Sequence, residues 1–297
     1  CSAYKRCGGC SLQHMNYAAQ LEFKTELVKD NLKRIGKLEN VTVHDAIGMN
    51  NPLKYRNKAQ YPVGMIKDEL AIGFYAKRSH DIIRNDECGI QDENSDRVKS
   101  VVQEFILRYG ISAYDEVNRT GLVRHVVTRT GFKTGEVMAV IVINGEDLPH
   151  QRELVDMLVE KVPGIKSVFL NVNTQNTNVI LGSRNIKIFG QDTITDYIGK
   201  YKFNISPLSF YQVNPFQTEV LYNKALEYAG LTGEETVFDL YCGIGTISLF
   251  LSEKAKKVYG VEVVEDTIMD ARKNAELNGV ENVEFIAGES EKVVPEL

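Results

Sequence analysis

Three cysteines stand within ten residues, Cys1, Cys7 and Cys10, and a fourth, Cys88, lies in the turn-like stretch Asn85-Asp86-Glu87-Cys88-Gly89. Gly8 and Gly9, between the second and third thiols, let the chain fold tightly around a centre. Four thiolates suit either a tetrahedral zinc ion or an iron–sulfur cluster, and the x5/x2 spacing leans away from the common zinc pairs. A merely apolar role would not crowd three thiols beside two glycines. The chain opens Cys1-Ser2-Ala3-Tyr4 with no basic-then-apolar leader and no initiator Met, so a disulfide framework is not expected and the N-terminus reads as trimmed.

A second constellation lies far along the chain. Asp239-Leu240-Tyr241-Cys242-Gly243-Ile244-Gly245-Thr246 sits where a strand passes into a helix, and its glycines let the backbone approach a ligand at the helix N-terminus. The dinucleotide fingerprint asks for a third glycine at position 248, which here is Ser248. Asp239, just ahead of the turn, would repel a pyrophosphate but suits the ammonium and sulfonium of S-adenosylmethionine (SAM). Glu262 ends the next strand, where a carboxylate accepts hydrogen bonds from both ribose hydroxyls. The two acids favour SAM, and a nicotinamide oxidoreductase fails at Ser248 and Asp239.

Basic residues form a third group. Lys54, Arg56 and Lys58 alternate along an extended stretch, which predicts one strand face, and Lys77, Arg78, Arg124 and His125 could widen it for RNA phosphates. Tyr61, Phe74 and Tyr75 read as core before they read as stacking platforms. The net charge of −5 conceals an asymmetry: residues 1–134 hold 21 Lys+Arg against 16 Asp+Glu, and the remainder 14 against 24. A basic half beside an acidic half fits a nucleic-acid face joined to a domain for a cationic ligand. No apolar run reaches the roughly 20 residues of a membrane span, so a cytoplasmic, monomeric protein without membrane contact is expected.

Helical period marks residues 18–36, 96–109 and 151–162, and Asn214-Pro215 opens a helix that Gly230 stops. Residues 54–83 read as extended around the charged turn at Lys67-Asp68-Glu69. His125–Thr128 and Val137–Ile143 read as a hairpin, and Ser167–Val172 with Asn178–Leu181 as another strand pair. From Thr236 the order is strand, turn, helix, strand, helix, strand, half of a doubly wound sheet in the last 62 residues. Such a sheet wants both halves to bury its faces, so the chain is expected to be a fragment.

With these motifs placed, the chain resembles the RNA uracil-5-methyltransferase family, and within it the ribosomal-RNA branch. The match runs through Cys1…Cys7-x2-Cys10…Cys88, Tyr55-Arg56-Asn57-Lys58-Ala59, Val123-Arg124-His125, Phe210-Tyr211-Gln212-Val213-Asn214-Pro215 and the Asp239–Thr246 loop. The resemblance implies an α/β fold: a Rossmann-like SAM domain, truncated in its C-terminal half, beside a central β-rich α+β iron–sulfur domain. It implies residues 1–12 and 45–205 for the central, RNA-contacting domain, and 13–44 with 206–297 for the SAM domain. It further implies a [4Fe–4S] cluster on Cys1, Cys7, Cys10 and Cys88, and SAM contacts from Gln212, Tyr241 and Glu262, with Thr246 and Glu289 at looser matches. The implied reaction methylates uridine C5 of 23S ribosomal RNA: a cysteine thiolate adds to C6, C5 attacks the SAM methyl, and a base removes the C5 proton. The family's nucleophile and general base fall beyond Leu297, so the chain alone is expected to be inactive, and Cys242 is not assigned as nucleophile. Alternatives are a transfer-RNA methyltransferase, disfavoured by the four cysteines, and a non-catalytic iron–sulfur RNA-binding module.

Overall fold

Asn16 starts the first helix by accepting a hydrogen bond from Ala19 N at 2.8 Å, and α1 runs Tyr17–Arg34 in the computed structural model, which describes residues 1–297. β1 (Lys58–Ile66) and β2 (Glu69–Tyr75) form a hairpin whose turn residues Lys67 and Asp68 both take positive φ, the twist that matches paired strands. β3 (Ile82–Arg84) follows, then α2 (Glu93–Tyr109), capped by Asp92 and ended by left-handed Gly110. β4 (Val123–Thr130), β5 (Val137–Ile143), α3 (Gln151–Lys161), β6 (Ile165–Val172) and β7 (Arg184–Gly190) complete a seven-stranded sheet in the order β3-β2-β1-β4-β5-β6-β7. Only β5–β6 is parallel, and α3 is its crossover.

One face of this sheet is covered by α2 and α3, where Val98, Phe105, Leu154 and Leu158 pack on Val126, Ala139 and Ile141. The other face, through Val127, Met138, Val140 and Phe169, packs on a hairpin of β8 (Ile194–Ile198) and β9 (Tyr201–Ile205). The same core continues into α4 (Pro215–Ala229), α5 (Thr246–Leu251) and α6 (Glu265–Leu277), so the two units share one apolar interior. Parallel strands β10 (Thr236–Leu240), β11 (Lys257–Glu262) and β12 (Val283–Ala287) form the second sheet, and α7 (Ser290–Val293) follows. No helix is long and apolar enough to cross a membrane.

Two expectations are corrected. Asn178–Leu181 is a loop, because Asn173 Nδ2 donates to the Val179 and Ile180 carbonyls at 2.7 and 3.0 Å, groups a ladder would otherwise use. β6 pairs instead with β7. Lys54, Arg56 and Lys58 do not share a strand face: Lys54 sits at φ 52°, Arg56 makes one isolated bridge to Gln91, and only Lys58 lies in β1.

Candidate active site and cysteine centre

The parallel register sets Asp239 beside Gly260 and Glu262 beside Ala287, so the turns at the carboxyl ends of β10, β11 and β12 meet along one edge. In such sheets the carboxyl edge is where ligands bind. The first turn is built from left-handed residues: Tyr241, Gly243 and Gly245 have φ of 65°, 55° and 80°. A Cβ on Gly245 would lie 2.5 Å from Phe285 Cζ, whereas one on Gly243 would meet open space. Gly243 therefore faces the ligand side and Gly245 the core.

Around this turn the family-implied residues gather. Tyr222 on α4 shares a 2.8 Å hydrogen bond with Thr246 Oγ1, and the Gln212 side chain lies near the Tyr222 hydroxyl. Tyr222 holds Thr246 from α4, and nothing in the sequence pattern singled it out. Glu262 Oε1 accepts from Val263 N and Val264 N at 2.8 and 3.1 Å, which holds the carboxylate at the mouth of α6. Gly288 N donates to Glu262 O at 3.0 Å, bringing the third turn alongside. Tyr241 is exposed, and its hydroxyl donates to Glu291 at 3.1 Å, while Glu289 is paired with Lys292 at 2.7 Å.

One oxygen of Asp239, Oδ2, is engaged within the chain. Its carboxylate accepts from Ser248 Oγ in the first turn of α5, and burial raises its pKa above the ordinary range while the Ser248 hydrogen bonds oppose that rise. It braces the turn. Cys242 is buried with its thiol pushed up to about 12 by burial and by the nearby carboxylates of Asp239 and Glu262.

The four other cysteines line a single cavity of about 220 Å3 together with Phe74, Arg56 and Ile90. Gly8 N donates to Tyr75 O at 2.9 Å, and Cys7 bridges Ala76, so the N-terminal loop docks on the end of β2. Asp96 secures the opposite wall, accepting from Cys88 N at 3.3 Å, while buried Lys99 donates to the carbonyl of Asp86 at 2.9 Å and to Asp96 at 3.3 Å. Burial raises the Cys10 pKa, and the charges of Cys88 and Cys7 raise it further. The four cysteines share one cavity, but no three metal-ligating side chains stand close enough together to hold an ion as they lie.

The basic residues divide. Lys77 and Arg78 are exposed, and Lys54 is engaged by Glu87 and Asp96 at 3.1 and 3.5 Å. Lys58 is half-buried between Arg56 and Arg129; burial, then those two charges, pulls its ammonium down to about 8. Arg129, absent from the sequence-based set, is buried and donates to the carbonyls of Pro207 and Ser209, just ahead of Gln212. Arg124 and His125 leave the solvated basic surface altogether: they are buried, and Arg124 donates to the carbonyls of Asn173 and Gln175 at 2.6 and 2.9 Å. Every residue of β4 is buried, since both faces of the sheet are covered, and Arg124 and His125 share that burial.

Comparison with known proteins places this geometry. A methyltransferase-domain model matches residues 231–297. RNA methyltransferases of Caldanaerobacter subterraneus and Clostridium tetani are 58% and 54% identical over the whole chain, which covers 66% and 64% of their lengths. By sequence and by fold the chain groups with RNA methyltransferases. The crystal structure of Pyrococcus abyssi tRNA (uracil-54, C5)-methyltransferase in complex with S-adenosyl-L-homocysteine matches with a TM-score of 0.77 and 29% identity, over 96% of this chain and 66% of that one. The chain therefore spans about two thirds of the length of the relatives it matches, and its fold is the α/β fold of SAM-dependent methyltransferases.

Proposed function

We propose that this protein methylates C5 of uridine in 23S ribosomal RNA with SAM as methyl donor. The observation that carries the reading is the convergence of Gln212, Tyr222, Thr246 and Glu262 on a left-handed glycine turn at the carboxyl ends of three parallel strands. Glu262 Oε2 makes no bond within the chain, which leaves it to receive ribose hydroxyls, and the open space at Gly243 admits the amino-acid moiety. Residues 13–44 would act with 206–297: α1 packs on the 46–49 segment, and Gln217 Nε2 in turn donates to Ile47 O at 2.7 Å.

Uracil C5 becomes a nucleophile only after a thiolate adds to C6. Cys242 is unsuited to that step, being buried and held neutral, and the remaining cysteines line the other cavity. The residues present bind and orient: Glu262 the ribose, Lys58 and Arg56 the phosphates, and exposed Phe210, two residues before Gln212, a base face. Cys1, Cys7, Cys10 and Cys88 would hold a [4Fe–4S] cluster, which when bound would tie residues 1–10 to the Cys88 turn.

Transfer RNA is the second reading, favoured by the name of the Pyrococcus abyssi neighbour. Nucleoside mass spectrometry of RNA from cells with and without the gene decides: 5-methyluridine lost from 23S ribosomal RNA supports the first reading, and loss from transfer RNA alone replaces it with the second. Anaerobic iron and sulfide analysis tests the cluster. About four irons per chain are expected, and a colourless protein with one zinc would overturn that assignment.

A further inference from the structure

The stretch that carries Phe210 and Gln212 has no ladder of its own. Between β9 and α4, residues 206–214 form neither helix nor strand, so their carbonyls need partners from elsewhere. Side chains of the seven-stranded sheet supply them. Arg129, near the end of β4, donates to Pro207 O at 3.1 Å and to Ser209 O. Asn57, just ahead of β1, donates through Nδ2 to Gln212 O at 2.9 Å and through its backbone N to Val213 O at 3.0 Å. Thr130 N donates in turn to Asn57 O at 2.8 Å, so the two anchors stand on braced, neighbouring strand ends.

Arg129 is an expensive residue for a core. It is buried, and burial alone pulls its guanidinium down to about 10, with no carboxylate to offset it. A well-packed aliphatic side chain of similar volume would suit the interior better than a charge without a counter-ion. Every hydrogen bond it makes goes to this one segment. The segment itself alternates as an extended chain does: Ser209 and Tyr211 are buried, Tyr211 with its ring 6.1 Å from Phe203, while Phe210 between them is 66% exposed. Holding Ser209 and Tyr211 in therefore holds Phe210 out and leaves Gln212 near the Tyr222 hydroxyl.

We propose that Arg129 and Asn57 are positioning residues: they fix the 207–213 segment to the strand ends that carry Lys58, and so set Gln212 for the cofactor and Phe210 for the base. The proposal rests on the SAM-dependent reading of the site. Lys58 lies opposite Arg129 across the β1–β4 pair, on the sheet face that Val127 shares. On its other side the segment meets the cofactor unit, where Ser209 Oγ donates to Asp270 of α6 at 3.4 Å, and α6 opens beside Glu262. One short piece of chain thus spans from the phosphate-facing strand ends to the cofactor turn, and its shape is set by two side chains that the reaction itself does not use.

The test uses the whole chain and S-adenosyl-L-homocysteine. Affinity is measured by calorimetry, well below the melting point, for wild type, Arg129→Met, Asn57→Ala and Val126→Ala. The last removes volume from the helix-side core and controls for lost stability alone. Arg129→Met and Asn57→Ala are expected to bind about fivefold or more weakly, the order of one hydrogen bond lost from Gln212, with Val126→Ala binding as wild type although it melts earlier. Asn57→Ala carries the test if Arg129→Met does not fold. The sequence holds no tryptophan, so Phe210→Trp places a single indole on the segment. Its nanosecond depolarisation should grow when Arg129→Met or Asn57→Ala is added, and not with Val126→Ala. Affinities in the segment variants equal to that of Val126→Ala overturn the positioning role and leave the SAM reading standing. Failure of wild type itself to bind S-adenosyl-L-homocysteine overturns both.

Discussion

The Ser248 hydroxyl donates to the Asp239 carboxylate across the glycine turn, nine residues apart in sequence. Ser248 occupies the position where a dinucleotide-binding turn would have its third glycine, and Asp239 the position that would repel a pyrophosphate. The two departures from that fingerprint are one structural unit. The strand end and the first turn of α5 are clamped together by it, and the backbone of Gly243 is held open between them.

Removing one partner should therefore loosen the turn without removing a ligand contact. Ser248→Ala leaves a buried carboxylate short of a donor, which costs about 1–3 kcal/mol. SAM affinity, measured by calorimetry, should fall severalfold, and Asp239→Asn, which can still accept from Ser248, should fall less. Equal losses in the two variants would mean that the charge of Asp239 acts on the ligand directly.

The two glycines of the turn separate stability from binding. Gly245→Ala drives a methyl into the Phe285 ring in addition to imposing a left-handed backbone, and should lower the melting temperature by several degrees. Gly243→Ala meets no protein atom, so its folding cost is limited to the left-handed conformation, about 1–2 kcal/mol. SAM binding should suffer more than stability in Gly243→Ala. A variant that melts early but binds normally would place the ligand elsewhere.

Much of this was legible in the sequence for particular reasons. The βαβαβ order from Thr236 and the Asn214 cap with Pro215 follow from local pattern, and each of these elements stands where the pattern put it, while the four cysteines line one cavity without standing close enough to hold an ion. What escaped were contacts between distant segments. Tyr222, Arg129, Asp96 and Lys99 look like ordinary helix or strand residues until the fold brings Thr246, the Ser209 carbonyl and the Cys88 turn against them. Arg124 and His125 misled for the opposite reason: a basic pair beside a strand reads as surface, and only the folded sheet, covered on both faces, shows them buried. The Ile194–Ile198 and Tyr201–Ile205 hairpin did carry a period-two pattern, with buried residues alternating, but its strands are short.

His125 should leave a signature in acid. Burial, with the Arg124 charge second, pulls its imidazole down to about 4 in the folded chain, against an ordinary value of about 6.5. Between those values the unfolded chain binds more protons, so the stability this group contributes is present above about pH 6.5 and is lost as pH falls toward 4. Denaturant melts from pH 7.5 to 4 should show the loss, and His125→Gln should flatten part of it. A wild-type profile unchanged by that substitution would place the acid sensitivity on other groups.

Lys58 offers the complementary test on the RNA side. Its ammonium is pulled to about 8 in the free protein by burial and by Arg129 and Arg56, and a bound phosphate would favour the charged form and raise that value again. Binding then takes up a proton once pH passes 8, so affinity for single-stranded RNA should weaken from pH 7 to 9 at fixed salt. Lys58→Arg, always charged, should bind with little dependence over that range, while Lys58→Gln should be weak throughout. The salt dependence of wild type should also be steeper at pH 7 than at pH 9, because one fewer cation displaces counterions at the higher pH. A wild-type profile that Lys58→Arg reproduces would remove Lys58 from the phosphate contacts and leave Arg56, Lys77 and Arg78 to carry them.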